Sequence, residues 1–180
     1  EALEIRRRVL LAYEEAEWEA DDASRRAKLT FVVIGGGPTG VEMAGALKEI
    51  AAQTIPQDFR NIDTTTARVI LVEGDKRLLG AMPEKLGKKA LHDLEEMGVE
   101  VRLNSLVTNL KKGMVSIGDE ELPAENIIWA AGVRGSQVGA ALETELDRSG
   151  RVIVGSDLTI PGHPEVFVVG DLAHAIDQKT

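Results

Sequence analysis

The sequence contains no cysteine among its 180 residues. This absence excludes disulfide bonds, cysteine-ligated zinc, iron–sulfur clusters and thiol redox chemistry from the segment, and it suits a reducing, cytoplasmic environment. Aromatic residues are also scarce, at 3%. The chain therefore offers few rings on which the bases of single-stranded nucleic acid could stack.

A basic surplus and a long apolar run are missing as well. The 30 acidic residues outnumber the 21 basic ones, for a formal net charge of −9, whereas nucleic-acid-binding proteins normally carry a basic face. We therefore expect no nucleic-acid partner. No apolar stretch approaches the ~18 residues that span a bilayer, and the N-terminus has no signal-peptide pattern. With 43% hydrophobic residues, the chain has enough apolar material for a globular core.

The spacing of the apolar residues predicts an α/β protein with a parallel sheet, crossover helices and a small antiparallel meander. Runs of branched apolar residues predict buried strands at 29–34, 68–73, 99–103 and 126–131. Spacings of three and four predict helices at 1–26, 41–53 and 83–97. The meander is predicted at 106–109, 114–117 and 121–123, an irregular loop at 54–66, late strands at 151–154 and 166–169, and a helix after residue 171.

The central motif is Gly35-Gly36-Gly37-Pro38-Thr39-Gly40, which satisfies G-x-G-x-x-G between a predicted strand and a predicted helix. The first glycine permits a tight turn, the middle one lets a pyrophosphate approach the backbone, and the last lets the helix pack on the strand. The first N–H groups of the helix then face the phosphates. The motif predicts a dinucleotide site, although a glycine-rich turn can also be a plain connection.

Glu73 ends the second predicted strand, where the adenosine ribose of a bound dinucleotide would lie. A carboxylate there accepts hydrogen bonds from both ribose hydroxyls and repels the 2′-phosphate of NADPH. Two like charges 4 Å apart repel by roughly 4 kcal/mol at an effective dielectric of 20, before screening. NADH is therefore the expected ligand, although the nearby Lys76 and Arg77 would soften the preference.

Other candidate residues carry weaker indications. Gly132 closes a strand and either lets a backbone approach the nucleotide or simply ends the strand. The histidines have no metal-site spacing, so we expect no metal; they are His92, His163 and His174. No serine lies in a G-x-S-x-G setting, and we expect no side chain to act as a nucleophile or general acid.

Three segments together resemble a known family: Val33–Glu42 (VIGGGPTGVE), Trp129–Val133 (WAAGV) and Pro164–Asp171 (PEVFVVGD). They are similar to the type II NADH dehydrogenases, the single-chain NADH:quinone oxidoreductases of the pyridine nucleotide-disulfide oxidoreductase superfamily. In this superfamily an NADH domain interrupts an FAD domain. The resemblance implies that hydride passes from NADH to FAD and then to a quinone, with the cofactors carrying the chemistry.

The resemblance also implies an organisation and further site residues. Residues 1–28 would form a connecting helix, 29–150 the NADH-binding domain, and 151–180 part of the returning FAD-binding domain. Gly170 and Asp171 would contact the flavin's ribityl chain, although an Asp here can also cap a helix. Glu42 would lie near the nicotinamide, although it can also be a first-turn acid favoured by the helix dipole.

Two regions of the family have no counterpart in this sequence: the first FAD fingerprint and the C-terminal region that holds quinone and lies on the membrane. We therefore expect the segment alone to bind NADH, to hold flavin weakly and to be inactive. The intact protein would be peripheral on the inner face of the membrane, and a homodimer is compatible with the sequence. Two alternatives stay open: a soluble flavin reductase for ferredoxin or another small carrier, and a non-enzymatic NADH-binding or sensing module.

Overall fold

The computed structural model describes residues 2–132 and 135–175. It divides into two compact units, Glu1–Ala131 and Gly132–Thr180. We describe each unit by itself. The predicted assignment of 29–150 to NADH binding and of 151–180 to an FAD domain stays a prediction.

The first unit contains helices and strands in the order expected of an α/β protein. Its helices are α1 (Ala2–Trp18), α2 (Asp22–Lys28), α3 (Pro38–Glu49) and α4 (Glu84–Glu96). Its strands are β1 (Thr30–Ile34), β2 (Arg68–Val72), β3 (Glu100–Arg102), β4 (Val107–Lys111), β5 (Met114–Ile117), β6 (Glu120–Pro123) and β7 (Asn126–Trp129). The predicted meander is present, because β4, β5 and β6 pair antiparallel in that order.

The main sheet is parallel, with the strand order β3-β2-β1-β7. Alternate residues of β1 face opposite layers, as the pleat of a strand requires. Phe31 and Val33 pack with the helices in one core, whereas Val32 and Ile34 pack with the meander in another. Since both faces of β1 are covered, all five of its residues are buried, which explains the apolar run Phe31–Ile34 that follows Thr30.

The N-terminal segment is two helices, so the single helix predicted over residues 1–26 was wrong. The chain leaves α1 after Trp18 and restarts at Asp22. Asp21 is the N-cap of α2, and its carboxylate accepts a hydrogen bond from the Ser24 N–H at 2.8 Å. The apolar spacing continues across this break, which is why periodicity alone did not reveal it; the Asp21 cap interrupts the helix.

The connection from α3 to β2 is largely irregular, as predicted. It contains a π-helical turn (Ile50–Thr54) and a 3₁₀ turn (Thr64–Thr66). The carboxylate of Glu17 accepts hydrogen bonds from the N–H groups of Arg60, Asn61 and Ile62 at 3.0–3.2 Å. This carboxylate ties the connection to α1.

The second unit is smaller and has its own core. It contains two 3₁₀ turns (Gln137–Leu142 and Gly170–Leu172) and short strands, β8 (Val152–Ile153), β9 (Thr159–Ile160), β10 (His163–Phe167) and β11 (Ala173–His174). Its core is Val152, Val154, Ile160 and Val168. The late strand predicted at 166–169 is present with different bounds, as β10. The helix predicted after residue 171 was wrong, because the turn at Gly170–Leu172 leads into β11. The end of the predicted helix, residues 176–180, lies outside the described residues.

Tyr13 of α1 carries a hydroxyl that has no hydrogen-bond partner within the described residues, although the side chain is fully buried. Its ring packs against Phe31 and Phe59, with centroid distances of 5.4 and 6.0 Å. Burial raises the pKa of the Tyr13 hydroxyl. The ring therefore stabilises the core while the hydroxyl opposes burial.

Replacing Tyr13 with phenylalanine should raise the free energy of unfolding by about 1 kcal/mol, because an unsatisfied buried hydroxyl costs about that much. Urea denaturation of the two chains measures the difference. Tyr13→Leu is the control, since it also removes the hydroxyl but loses ring contacts and should destabilise the chain. A Tyr13→Phe chain less stable than the parent would mean that the hydroxyl has a partner.

Across 2–132 and 135–175, no helix combines the length and the apolar character needed to cross a membrane.

Candidate functional site

The glycine-rich loop joins β1 to α3 at the carboxyl edge of the parallel sheet. Gly35 follows Ile34 directly, with a φ of +109° that side-chain-bearing residues rarely adopt. A Cβ at Gly35 would lie 2.8 Å from the backbone of Ala131. The loop is therefore pressed against the end of the neighbouring strand, and only glycine fits its first position.

The helix begins inside the motif, at Pro38, and not at Val41 as predicted. Gly37 is its N-cap, and no side chain caps the helix. Pro38 has no N–H, so the first amide donors are those of Thr39 and Gly40, which in any helix lack partners in the preceding turn. The helix therefore presents uncapped backbone donors and the positive end of its dipole.

The two remaining motif glycines differ in their surroundings. A Cβ at Gly40 would lie 1.8 Å from the carbonyl oxygen of Gly35, so this position is closed by the backbone of the loop itself. A Cβ at Gly37 would meet nothing within 4 Å. Gly37 has an ordinary φ of −72°, so the backbone does not require glycine there. Its bare Cα leaves open space beside the first turn of the helix.

Glu73 lies directly after β2 and beside this loop. Its carboxylate accepts a hydrogen bond from the Gly36 N–H through Oε2, and one from the Asp75 N–H at 2.8 Å through Oε1. These two bonds fix the orientation of the side chain. Each carboxylate oxygen has a second lone pair, so both remain able to accept bonds from a ligand's hydroxyl groups.

The structure brings Gly35–Gly40 and Glu73 together at one edge of the sheet. Glu42 is exposed and lies on the fifth residue of α3. It is therefore not a first-turn acid, and that alternative was wrong. Gly132 belongs to the second unit, where it has a φ of +84° and open space around its Cβ position.

Gly170 and Asp171 also belong to the second unit. With Ser149, Arg151 and Ala173 they line a hollow of about 400 Å³. The Arg151 guanidinium is held there by Asp147, with an Nη2–Oδ2 distance of 2.7 Å. Hydrogen bonds from the backbone N–H of Arg151, and from the side chains of His174 and Arg151, hold the pKa of Asp147 well below its usual range. The hollow is thus lined by one acidic residue, Asp171, and one basic residue, Arg151.

Sequence reasoning missed the segment that follows Glu73. The N–H of Leu79 donates to the carbonyl of Gly36 at 2.8 Å. Leu78 is 1% exposed, and a Cβ on Gly36 would lie 2.6 Å from its Cδ2 atom. Two adjacent leucines in a turn give neither a helical nor a strand period, so the pattern of the sequence did not indicate this contact.

The described residues, 2–132 and 135–175, bring no group of three His, Cys, Asp or Glu side chains together in a metal-binding arrangement.

The parallel sheet and the glycine-rich loop between β1 and α3 define a Rossmann-like class of α/β protein. The chain belongs to the pyridine nucleotide-disulphide oxidoreductase family, whose model matches residues 11–180. Among curated proteins, it is 45% identical to the type II NADH:quinone oxidoreductase Ndh of Mycobacterium tuberculosis and 47% identical to NdhA of the same organism. Each alignment covers 96% of this chain and 39% of the relative. The chain therefore spans well under half of the length of these relatives.

A solved structure extends the likeness to the fold. NDH2 of Plasmodium falciparum, determined in complex with NADH, superposes with a TM-score of 0.80 at 20% sequence identity, over 96% of this chain and 37% of the other. The predicted α/β Rossmann-like fold is confirmed. The resemblance to the type II NADH:quinone oxidoreductases is confirmed as well.

Proposed function

We propose that this chain binds NADH at residues 35–40, with the pyrophosphate at the start of α3. The observation that supports this most is the open space at Gly37, directly in front of a helix terminus that no side chain caps. A pyrophosphate placed there would accept hydrogen bonds from the amides of Thr39 and Gly40 and would lie in the favourable field of the helix dipole.

In this proposal Glu73 accepts the hydroxyls of the adenosine ribose and selects NADH over NADPH. Its two backbone hydrogen bonds hold the carboxylate in place before the ligand arrives, so little side-chain entropy is lost on binding. The fixed negative charge repels a 2′-phosphate, and the repulsion is strongest where water is displaced.

For the intact protein we propose the activity of a flavoprotein that oxidises NADH and reduces a quinone, as the names of its relatives describe. FAD, when bound, would be the group that accepts the hydride of NADH. Within this chain, Gly170 and Asp171 fit a flavin contact, since the carboxylate borders a hollow large enough for part of a cofactor. Glu42, Gly132 and Pro38 are proposed to lie near the bound nucleotide.

The domain roles follow from this proposal: 29–150 would hold NADH and 151–180 would contribute to the FAD domain. We also propose that the intact protein is peripheral on the inner face of the membrane, touching it through regions outside this chain. We also propose that the intact protein forms a homodimer, which a measurement of its oligomeric state in solution tests.

Parallel calorimetric titrations of the chain with NADH, NADPH and FAD test the proposal. We expect saturable binding of NADH, weaker binding of NADPH, and no FAD retained after purification, because the chain carries only one dinucleotide fingerprint. An absence of NADH binding would refute the nucleotide site. A yellow chain with stoichiometric FAD would refute the expectation about flavin and leave the NADH site standing.

A further inference from the structure

Arg77 stabilises the turn that follows Glu73 with two side-chain hydrogen bonds. Its Nη1 donates to the carbonyl of Met82 at 3.0 Å and its Nη2 donates to the carbonyl of Gly80. The turn is closed from within by the N–H of Met82, which donates to the carbonyl of Leu79 at 2.8 Å. One guanidinium therefore bonds two carbonyls of the same turn through two separate nitrogens of its planar fork.

This turn needs such support because of the backbone at Leu79. The φ of Leu79 is +51°, in the left-handed region that residues with side chains seldom occupy. A leucine stays in that conformation only when its surroundings hold it there. The bonds from Arg77 to Gly80 and Met82 are part of those surroundings.

The same turn holds the middle of the glycine-rich loop. Leu79 donates its N–H to the carbonyl of Gly36, and the buried Leu78 side chain packs against the Cα of Gly36. On its other side, the N–H of Gly36 donates to Glu73. Gly36 is thus fixed through both its amide and its carbonyl, and Gly37 follows it directly.

We propose that Arg77 is a positioning residue of the nucleotide site, which holds the glycine-rich loop in its binding conformation through Leu79 and does not recognise phosphate. This inference rests on the proposed binding of NADH. Because two of its nitrogens are engaged by carbonyls, Arg77 is poorly placed to compensate Glu73 by attracting a 2′-phosphate. Of the two cations that follow Glu73, Lys76 is the exposed one.

The test compares Arg77→Met, Arg77→Lys and the control Lys76→Met, with affinities for NADH and NADPH measured well below the unfolding temperature of each variant. Arg77→Met should weaken both nucleotides by about the same factor, roughly tenfold, because the loop loses two charge-assisted bonds to its supporting turn. Arg77→Lys should recover only part of the loss, since it keeps the charge but not the fork. Lys76→Met should leave NADH affinity within about twofold of the parent.

Three results would overturn the inference. A selective loss of NADPH affinity in Arg77→Met would mean that Arg77 does recognise phosphate. Full recovery in Arg77→Lys would mean that charge matters and the fork does not. A lower unfolding temperature with unchanged affinity for both nucleotides would leave Arg77 a purely structural role. A parent chain that does not bind NADH would instead refute the proposed function, so the two failures are distinguishable.

Discussion

Replacing Gly37 with valine should lower the affinity for NADH by at least about 100-fold while the chain stays folded. The valine side chain would fill the open space in front of α3 and keep a pyrophosphate away from the amides of Thr39 and Gly40. The backbone at Gly37 has an ordinary φ, so the loss of stability should be limited to about 1 kcal/mol, the cost of a poor N-cap residue. Calorimetry and thermal unfolding measure the two effects separately.

Gly45→Ala is the matched control, because Gly45 lies in the same helix. A Cβ there would lie 3.7 Å from a Leu94 methyl group, an ordinary contact. This variant should keep the parent's NADH affinity and gain up to about 1 kcal/mol of stability, since alanine is the better helix former. Equal affinities in Gly37→Val and Gly45→Ala would place the ligand elsewhere on the chain.

Replacing Glu73 with arginine should shift the ratio of NADPH to NADH affinity by about 100-fold toward NADPH. The change removes the acceptor of the ribose hydroxyls and replaces repulsion of the 2′-phosphate with attraction. NADH affinity should fall in absolute terms as well, because Gly36 and Asp75 lose their shared carboxylate partner.

Glu73→Gln separates the effect of the negative charge on nucleotide preference from the effect of losing the backbone hydrogen bonds. Its amide oxygen still accepts the Gly36 N–H, but the negative charge is gone, so the ratio should move about tenfold and the NADH affinity should fall less than in Glu73→Arg. Titrations with both nucleotides at low and high salt measure the ratio, which should depend on ionic strength in the parent. A ratio that stays constant across all three chains would remove Glu73 from the ribose.

The strands of the main sheet were predictable because their physical cause is local. β1 is covered on both faces, so all of its residues are buried and all but Thr30 are apolar, and glycine follows where the chain must turn. The same pattern, an apolar strand followed directly by glycine, also predicts that the candidate site lies at the carboxyl edge of the sheet. The start of α3 was placed three residues late, since the proline and glycine of the motif disguise a first helical turn.

What could not be predicted depends on contacts between distant parts of the chain or on unusual backbone conformations. The break before Asp22 is decided by one capping bond from Ser24 to Asp21, which the apolar spacing does not reveal. The turn that grips Gly36 depends on a leucine with positive φ and on carbonyls held by Arg77. No residue-type preference predicts a leucine in that conformation.

The unequal surroundings of Gly37 and Gly40 have a consequence for judging distant family members that have lost their ligand. Gly40 abuts the carbonyl of Gly35, so folding itself would preserve it long after any dinucleotide had gone. At Gly37 a Cβ would meet nothing within 4 Å, so the fold does not require glycine there. A relative with a side chain at the position of Gly37, but with glycine still at positions 35 and 40, would therefore keep the fold and have lost its dinucleotide and the redox reaction that needs it.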